Sequence, residues 1–153
     1  MRKKFFFLLL IYLGVSMAGC ARQNPQNTRP KIRYGEDTCD ECRMIISEQR
    51  FAAVFRTDDG QARRFDDLGC LRDYLRKHDE TPAQIWVSDY HTGVWLKADS
   101  AFFVRSPEVA TPMAHGIVAF SSREEANSFS ASHQGVELKT AQLFNFGEPS
   151  QKP

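Results

Sequence analysis

The sequence lacks several features that define common classes of protein. Its apolar run, residues 5–15, has 11 residues, too few for a membrane-spanning helix, which needs about 20. Its 20 Lys and Arg side chains barely exceed its 19 Asp and Glu, so we expect no nucleic-acid partner. It has no Ser/His/Asp arrangement, phosphate-binding glycine loop or paired-carboxylate motif, and hydrolases and kinases depend on such groups. These absences favour a binding or carrier protein over an enzyme.

The first residues have the pattern of an export signal. Basic residues 2–4 precede the apolar run, and Met17-Ala18-Gly19-Cys20 follows it, which predicts a signal peptide of residues 1–19. The last four residues resemble the lipobox of bacterial lipoproteins, in which the cysteine sulfur receives a diacylglyceryl group. We therefore predict a lipid anchor on Cys20 and a domain that faces the periplasm. The alternative is an ordinary secretory signal, with Cys20 part of the mature domain.

The rest of the chain is long enough for one folded domain. Without residues 1–19 it has 134 residues, 17 of them basic and 19 acidic, and a chain of this size buries a single core. Residues 20–36 predict a lipidated cysteine and a flexible tether. Residues 37–146 predict the folded domain, and residues 147–153 a flexible tail.

An internal duplication organises the predicted domain. Residues 64–75 match residues 119–130 at a constant offset of 55, and the matched pairs include Phe65 with Phe120, Tyr74 with Phe129 and His78 with His133. Upstream, residues 51–53 match residues 102–104 at an offset of 51. The second copy therefore carries an insertion, which falls in the loop that contains residues 111–116.

The first copy predicts two strands and a helix. Strands at residues 50–57 and 61–65 flank Asp58-Asp59-Gly60, a turn signal because Asp and Gly tolerate positive φ. The helix follows, because leucines recur at helical spacing after a cap at Asp66 or Asp67.

The second copy repeats this order and completes the predicted fold. A capping box precedes its helix, formed by Ser121 and Glu124 or by Ser122 and Glu125. Between the copies, residues 85–87 and 94–96 predict a further hairpin. We expect an α+β fold of two related strand-strand-helix units with antiparallel sheet, in which each helix packs on the sheet.

The sulfur atoms indicate the chemistry. Cys39, Cys42 and Met44 lie within six residues of chain, and Cys70 and Met113 are the only other Cys and Met after Cys20. Thiolates and thioethers are soft donors that select copper(I) over hard cations. Zinc accepts thiolates but gains little from a thioether. The cluster therefore predicts a copper(I) site.

Other roles for these cysteines remain open at this stage. Cys39 and Cys42 could form a structural disulfide in an exported domain, or act in a thiol–disulfide redox protein, which would need the motif to open a helix. They could also hold a structural zinc ion. Cys70, near a helix N-terminus, is expected to have a lowered pKa. It could be a buried residue, a fourth sulfur ligand or a redox partner.

Several motifs together resemble the NosL family of copper lipoproteins, which assist maturation of nitrous oxide reductase. They are the lipobox, Cys39-x-x-Cys42-x-Met44, the segment from Phe65 to Cys70, Trp95, and Met113-x-x-Gly116 before Ala119-Phe120. The resemblance covers about residues 37–135. Arg43 departs from the pattern, because the family has a small residue there, usually glycine.

The resemblance implies a function and a ligand set. The protein would be a copper(I) carrier, not an enzyme, that works with a membrane transporter assembly and supplies nitrous oxide reductase. Cys42, Met44 and Met113 would bind copper, with Cys39 as their partner. His115 could add a nitrogen donor or be a loop residue without a metal role. Ala21 stands where aspartate signals inner-membrane retention in many Gram-negative bacteria, which favours the outer membrane.

Overall fold

A computed structural model describes residues 28–144 of the chain. The predicted signal peptide, Cys20, residues 21–27 of the predicted tether and the predicted tail lie outside this range. Within it, no helix is both long enough and apolar enough to cross a membrane.

The described chain alternates hairpins and helices. Its strands are β1 (Ala53–Thr57), β2 (Ala62–Phe65), β3 (Pro82–Ser88), β4 (Trp95–Lys97), β5 (Phe102–Arg105), β6 (Ile117–Phe120) and β7 (Val136–Leu138). Its α-helices are α1 (Leu68–Lys77), α2 (Arg123–Ser132) and α3 (Thr140–Phe144). The first strand begins later than the expected residue 50, because Gln49–Phe51 forms a single 3-10 turn.

The strands form two antiparallel sheets. The first has the order β2-β1-β3-β4 and the second the order β6-β5-β7. Each copy of the duplication supplies one hairpin and the helix after it, β1-β2-α1 in the first and β5-β6-α2 in the second. The hairpin between the copies is β3 and β4, in the first sheet. The expected α+β fold with two strand-strand-helix units is confirmed.

The strand register corrects the alignment of the two copies. Phe65 pairs with Ala53, and its counterpart Phe120 pairs with Phe102. The first strands are therefore offset by 49 positions, where the sequence match suggests 51. The longer loop of the second copy absorbs this difference, because a loop on the surface tolerates insertions.

The two helices begin and end in the same way. Asp67 accepts a hydrogen bond from the Gly69 backbone N–H at the start of α1, and Ser122 does the same for Glu125 at the start of α2. Side chains of this type satisfy backbone donors that a helix leaves unpaired. Each helix ends at a histidine that stacks on an aromatic ring four residues earlier, with ring centroids 4.1 Å apart in both copies. The duplication therefore extends to side-chain packing.

Two apolar clusters stabilise the domain. The larger lies between the first sheet and α1, extends to Phe103 of the second sheet, and includes the stacked rings of Phe55 and Phe65. The smaller lies between the second sheet and α2 and includes Phe120 and Phe129. Burial of each phenylalanine side chain contributes roughly 1.5–3 kcal/mol.

One buried carboxylate joins the two sheets. Asp89, 1 % exposed, follows β3 and accepts backbone N–H bonds from Thr92 in its own hairpin and from Ser121 after β6, both at 2.8 Å. The next residue, Tyr90, donates its N–H to the carbonyl of Ala119 at 2.8 Å. The hairpin between the copies is thereby fixed to the second sheet.

Candidate metal centre

The Cys39–Cys42 motif lies in a tight loop before the first hairpin. A bridge between Thr38 and Ile45 closes the loop, and Cys39 donates its N–H to the carbonyl of Met44 at 2.8 Å. Arg43 adopts a φ of 67°, a left-handed conformation that glycine tolerates best. This geometry explains why a small residue suits the position. It also directs Cys39 inward, fully buried, and leaves Met44 55 % exposed.

A pair of hydrogen bonds between Asp40 and Arg64 fixes this loop beside β2. Asp40 donates its N–H to the carbonyl of Arg64 at 2.8 Å, and its carboxylate accepts the Arg64 N–H at 2.7 Å. Since β2 ends at Phe65, the loop lies against the segment that leads into α1. Residues far apart in sequence therefore meet at the first turn of that helix.

The meeting point is a cluster of four donors. The sulfur atoms of Cys39, Cys42 and Cys70 and one carboxylate oxygen of Asp66 all lie within 4.8 Å of one another. Cys42 Sγ donates to Asp66 Oδ2 at 3.4 Å, while the buried Oδ1 of Asp66 has no hydrogen-bond partner among the described residues. Three thiols and a carboxylate at this spacing form a donor set that can hold one metal ion.

Sequence reasoning missed Asp66 as part of the site. It treated Asp66 and Asp67 as alternative caps of α1, and the structure shows that Asp67 is the cap. The sequence could have shown this, because a helix needs only one capping residue and the second aspartate then has no role in the cap. That second residue is Asp66, whose side chain is 3 % exposed.

The three thiols differ in acidity. A hydrogen bond from the Cys70 thiol stabilises the Cys39 thiolate and lowers the pKa of Cys39 to about 7. The same contact raises the pKa of Cys70, so the lowered pKa expected for Cys70 at a helix N-terminus is wrong. Burial raises the pKa of Cys42 to about 11, and the neighbouring Cys39 and Asp66 add to this effect. Cys39 is thus the sulfur best prepared to bind a cation.

The second copy reaches this site through its long loop. The Met113 backbone N–H donates to Asp67 Oδ2 at 3.2 Å, so the carboxylate that caps α1 also holds the loop. The His115 ring lies directly against Gly69, where a Cβ atom would clash with it. Glycine at this position therefore permits the close approach of the two copies.

The structure treats the two candidate donors of this loop differently. The His115 ring contacts side chains of α1 outside the four-donor cluster, with its Nε2 3.7 Å from Asp73 Oδ2 and its Nδ1 3.5 Å from Arg72 Nη2. Met113 is 36 % exposed. Its backbone N–H binds the side chain of Asp67, the residue that follows Asp66. The ligand roles of Met44, Met113 and His115 stay predictions, whereas the three cysteines are brought together.

Known proteins give independent information on this chain. No curated protein matches it. One similar solved structure is the crystal structure of the copper chaperone NosL from Shewanella denitrificans, with a TM-score of 0.65 and 19 % sequence identity over 81 % of this chain and 96 % of that chain. At this identity the likeness shows the fold. The profile of the NosL family matches residues 32–145, and the chain therefore belongs to the NosL family.

Proposed function

We propose that this protein is a membrane-anchored copper(I) chaperone that delivers copper for the maturation of nitrous oxide reductase. The observation that carries the proposal is the convergence of Cys39, Cys42 and Cys70 beside the loop of Met113. Three thiols at one place, with a thioether expected from the neighbouring loop, favour a soft monovalent ion. The similar protein from Shewanella denitrificans is a copper chaperone, which supports the same cargo.

The exposure of the donors suits a carrier. Cys39 and Cys70 are buried, Cys42 is half-buried, and Met44 and Met113 are exposed. A partner's ligand can approach the exposed thioethers and Cys42 first, while the buried thiols still hold the ion. Copper would then move by stepwise ligand exchange, and no covalent bond of a substrate is made or broken. The protein acts as an assembly factor, not as an enzyme.

The place of action follows from the lipobox. Acyl chains on Cys20 would anchor the protein, because each buried methylene contributes about 0.8 kcal/mol to membrane binding. The domain would face the periplasm, with the outer membrane favoured by Ala21. There it would work with the transporter assembly that accompanies nitrous oxide reductase.

Zinc is a second candidate for the same donors, and Asp66 is the observation that favours it. A carboxylate oxygen completes a tetrahedral zinc site with three thiolates, whereas copper(I) prefers sulfur. A thiol–disulfide redox role has less support. Cys39 and Cys42 lie in a turn closed by the bridge of Thr38 and Ile45, not at the start of a helix as such enzymes require.

Metal analysis and titration test the proposal. After anaerobic purification, one copper per chain is expected; zinc alone would support the structural site, and metal-free protein that reduces or oxidises insulin would support the redox role. In a copper(I) competition titration, Cys42→Ala and Met113→Ala should each bind more weakly than the parent. Val136→Ala is the control, since Val136 is an exposed apolar residue of the second sheet. Met113→Ala with parental affinity would contradict the proposed ligand set.

Delivery and anchoring need separate measurements. Copper-loaded protein should transfer its ion to copper-free nitrous oxide reductase, and the Cys42→Ala variant should not. Cys20→Ser should lose metabolic labelling with radioactive palmitate. Transfer by the variant, or labelling without Cys20, would contradict these parts of the proposal.

A further inference from the structure

The N-terminal segment of the domain crosses the outer face of the first sheet. Arg56 of β1 donates to the carbonyl of Thr28 at 3.1 Å, and Arg64 of β2 donates to the carbonyl of Lys31 at 2.8 Å. The guanidinium of Arg29 lies 4.4 Å from the centre of the Trp95 ring. Residues 28–31 therefore run across several strands and are held by them.

Strand register shows that this face is opposite the core. Side chains alternate along a strand, so Arg56 and Arg64 point away from the side of Phe55 and Phe65, which pack in the larger core cluster. Trp86 and Trp95 lie on the same outer face by the pairing of β3 with β1 and β4. Helix α1, with Cys70, packs on the inner face.

The outer face is mainly basic. Its cationic side chains are Arg29, Arg33, Arg56, Arg64 and Lys97, and the exposed Lys31 belongs to the segment that crosses it. Arg33 binds Glu36 and Asp37 at 3.2 and 2.7 Å, and Asp37 also lies 3.4 Å from Arg64. Positive charge is therefore in excess. Two amphipathic rings accompany it, the half-buried Trp95 and the exposed Tyr34, a residue type that favours the headgroup region of membranes.

Only a short length of chain separates this face from the predicted anchor. Cys20 is eight residues before Thr28, and eight residues span at most roughly 28 Å when fully extended. A lipid on Cys20 would therefore keep this part of the domain close to the bilayer surface. We propose that the outer face of the first sheet docks on anionic phospholipid headgroups, an inference that rests on the proposed lipid anchor.

Docking in this way has a consequence for copper transfer. The inner face of the sheet, with α1 and the thiol cluster at its first turn, is turned away from the lipid. The donors then stay open to a protein partner. The anchor limits distance, and the basic face sets orientation.

Tryptophan fluorescence can test the orientation, because both tryptophans of the chain lie on the docking side of the first sheet, Trp86 buried and Trp95 half-buried. The lipidated full chain is reconstituted into vesicles of phosphatidylglycerol and phosphatidylcholine, or of phosphatidylcholine alone, each with a nitroxide on some headgroups. We expect stronger quenching on the anionic vesicles. The extra quenching should disappear in 1 M salt, where the screening length falls to about 3 Å, although the protein still sediments with the vesicles.

Charge reversal supplies the matched control. Lys31→Glu with Lys97→Glu should abolish the extra quenching on anionic vesicles. Arg105→Glu with Lys139→Glu changes the net charge equally at exposed positions of the second sheet region and should leave quenching unchanged. Sedimentation with equal quenching on both vesicles, or an equal effect of the two double variants, would overturn the docking proposal alone. Protein that does not sediment would overturn the anchor and, with it, this proposal.

Discussion

Replacing Asp67 with asparagine should separate the capping of α1 from the attachment of the Met113 loop. The carboxylate is fully buried, and its two oxygens accept the backbone N–H groups of Gly69 at 2.5 Å and Met113 at 3.2 Å. Asparagine caps a helix about as well as aspartate, but it has only one acceptor oxygen. Whichever way the amide turns, one N–H group will face an NH2 group.

The size of the effect follows from this geometry. Loss of a partly buried hydrogen bond costs about 1 kcal/mol, and loss of the negative charge at the helix N-terminus costs about 0.5 kcal/mol. The cap itself favours retention of the Gly69 bond, so Met113 is expected to lose its partner. If the loop supplies Met113 to copper, a loss of about 1.4 kcal/mol in its positioning weakens copper(I) binding tenfold.

Two assays on each of two variants measure these effects. Urea unfolding, followed by tryptophan fluorescence, gives the change in the free energy of unfolding, and competition titration gives the copper(I) affinity. The matched control is Ser122→Ala, because Ser122 caps α2 at the equivalent position of the second copy. Loss of that cap should reduce stability by about 1 kcal/mol and leave copper affinity unchanged.

Any of three results would refute the reasoning. Unchanged stability of Asp67→Asn would mean that the bond to Met113 does not hold the loop. Reduced stability with unchanged copper affinity would mean that the loop position does not matter to the metal. An equal loss of affinity in Ser122→Ala would show that copper binding responds to general destabilisation.

Three further predictions concern the buried carboxylate that joins the two sheets, the acidity of the thiols and the left-handed residue of the cysteine loop. Burial raises the pKa of Asp89, but hydrogen bonds from Thr92 and Ser121 outweigh this and lower the pKa overall. Its contribution to stability is therefore complete above its unfolded-state pKa of about 4 and is lost as pH falls through the lower folded-state pKa. In a series of unfolding measurements at decreasing pH, Asp89→Asn should show a smaller loss of stability in acid than the parent. In native metal-free protein, an alkylating reagent should modify Cys42 before the more acidic but buried Cys39, as peptide mass spectrometry would show; the reverse order would mean that the cluster opens readily. Because a left-handed conformation costs a side chain about 1–2 kcal/mol and glycine loses about 0.5–1 kcal/mol in chain entropy, R43G should raise the free energy of unfolding by about 0.5 kcal/mol, and a lower value would contradict the strain.

Much of the fold was accessible from the sequence because local signals agreed with one another. The turn at Asp58-Asp59-Gly60, the leucine spacing of α1 and the capping box at Ser122 each specify a local structure without reference to the rest of the chain. The duplication then doubled the evidence, since every element of one copy has a counterpart in the other. The sequence match gave the wrong counterpart for Phe102 in the first copy, because strand register depends on contacts between strands.

The site was harder to predict because its donors meet only after folding. The motif of Cys39 and Cys42 is visible in the sequence, but nothing local places Cys70 or Asp66 beside it. That placement depends on the bonds between Asp40 and Arg64, which attach the loop to β2. The acidity of the thiols follows from the same contacts, and so the expected effect of the helix N-terminus on Cys70 was reversed.

The duplication nevertheless explains how Asp66 and Cys70 come together. At the offset of 55, their counterparts are Ser121 and Glu125, and in the second copy these two side chains meet, with Ser121 Oγ donating to the Glu125 carboxylate at 3.1 Å. In both copies the side chain just after the first of these residues caps the helix, which brings the residue before the cap close to the first turn. The same backbone geometry therefore gives a surface hydrogen bond in one copy and two of the four donors in the other. On this view, the site needed only a change of side chains at an existing helix start, together with a cysteine loop attached to the adjacent strand.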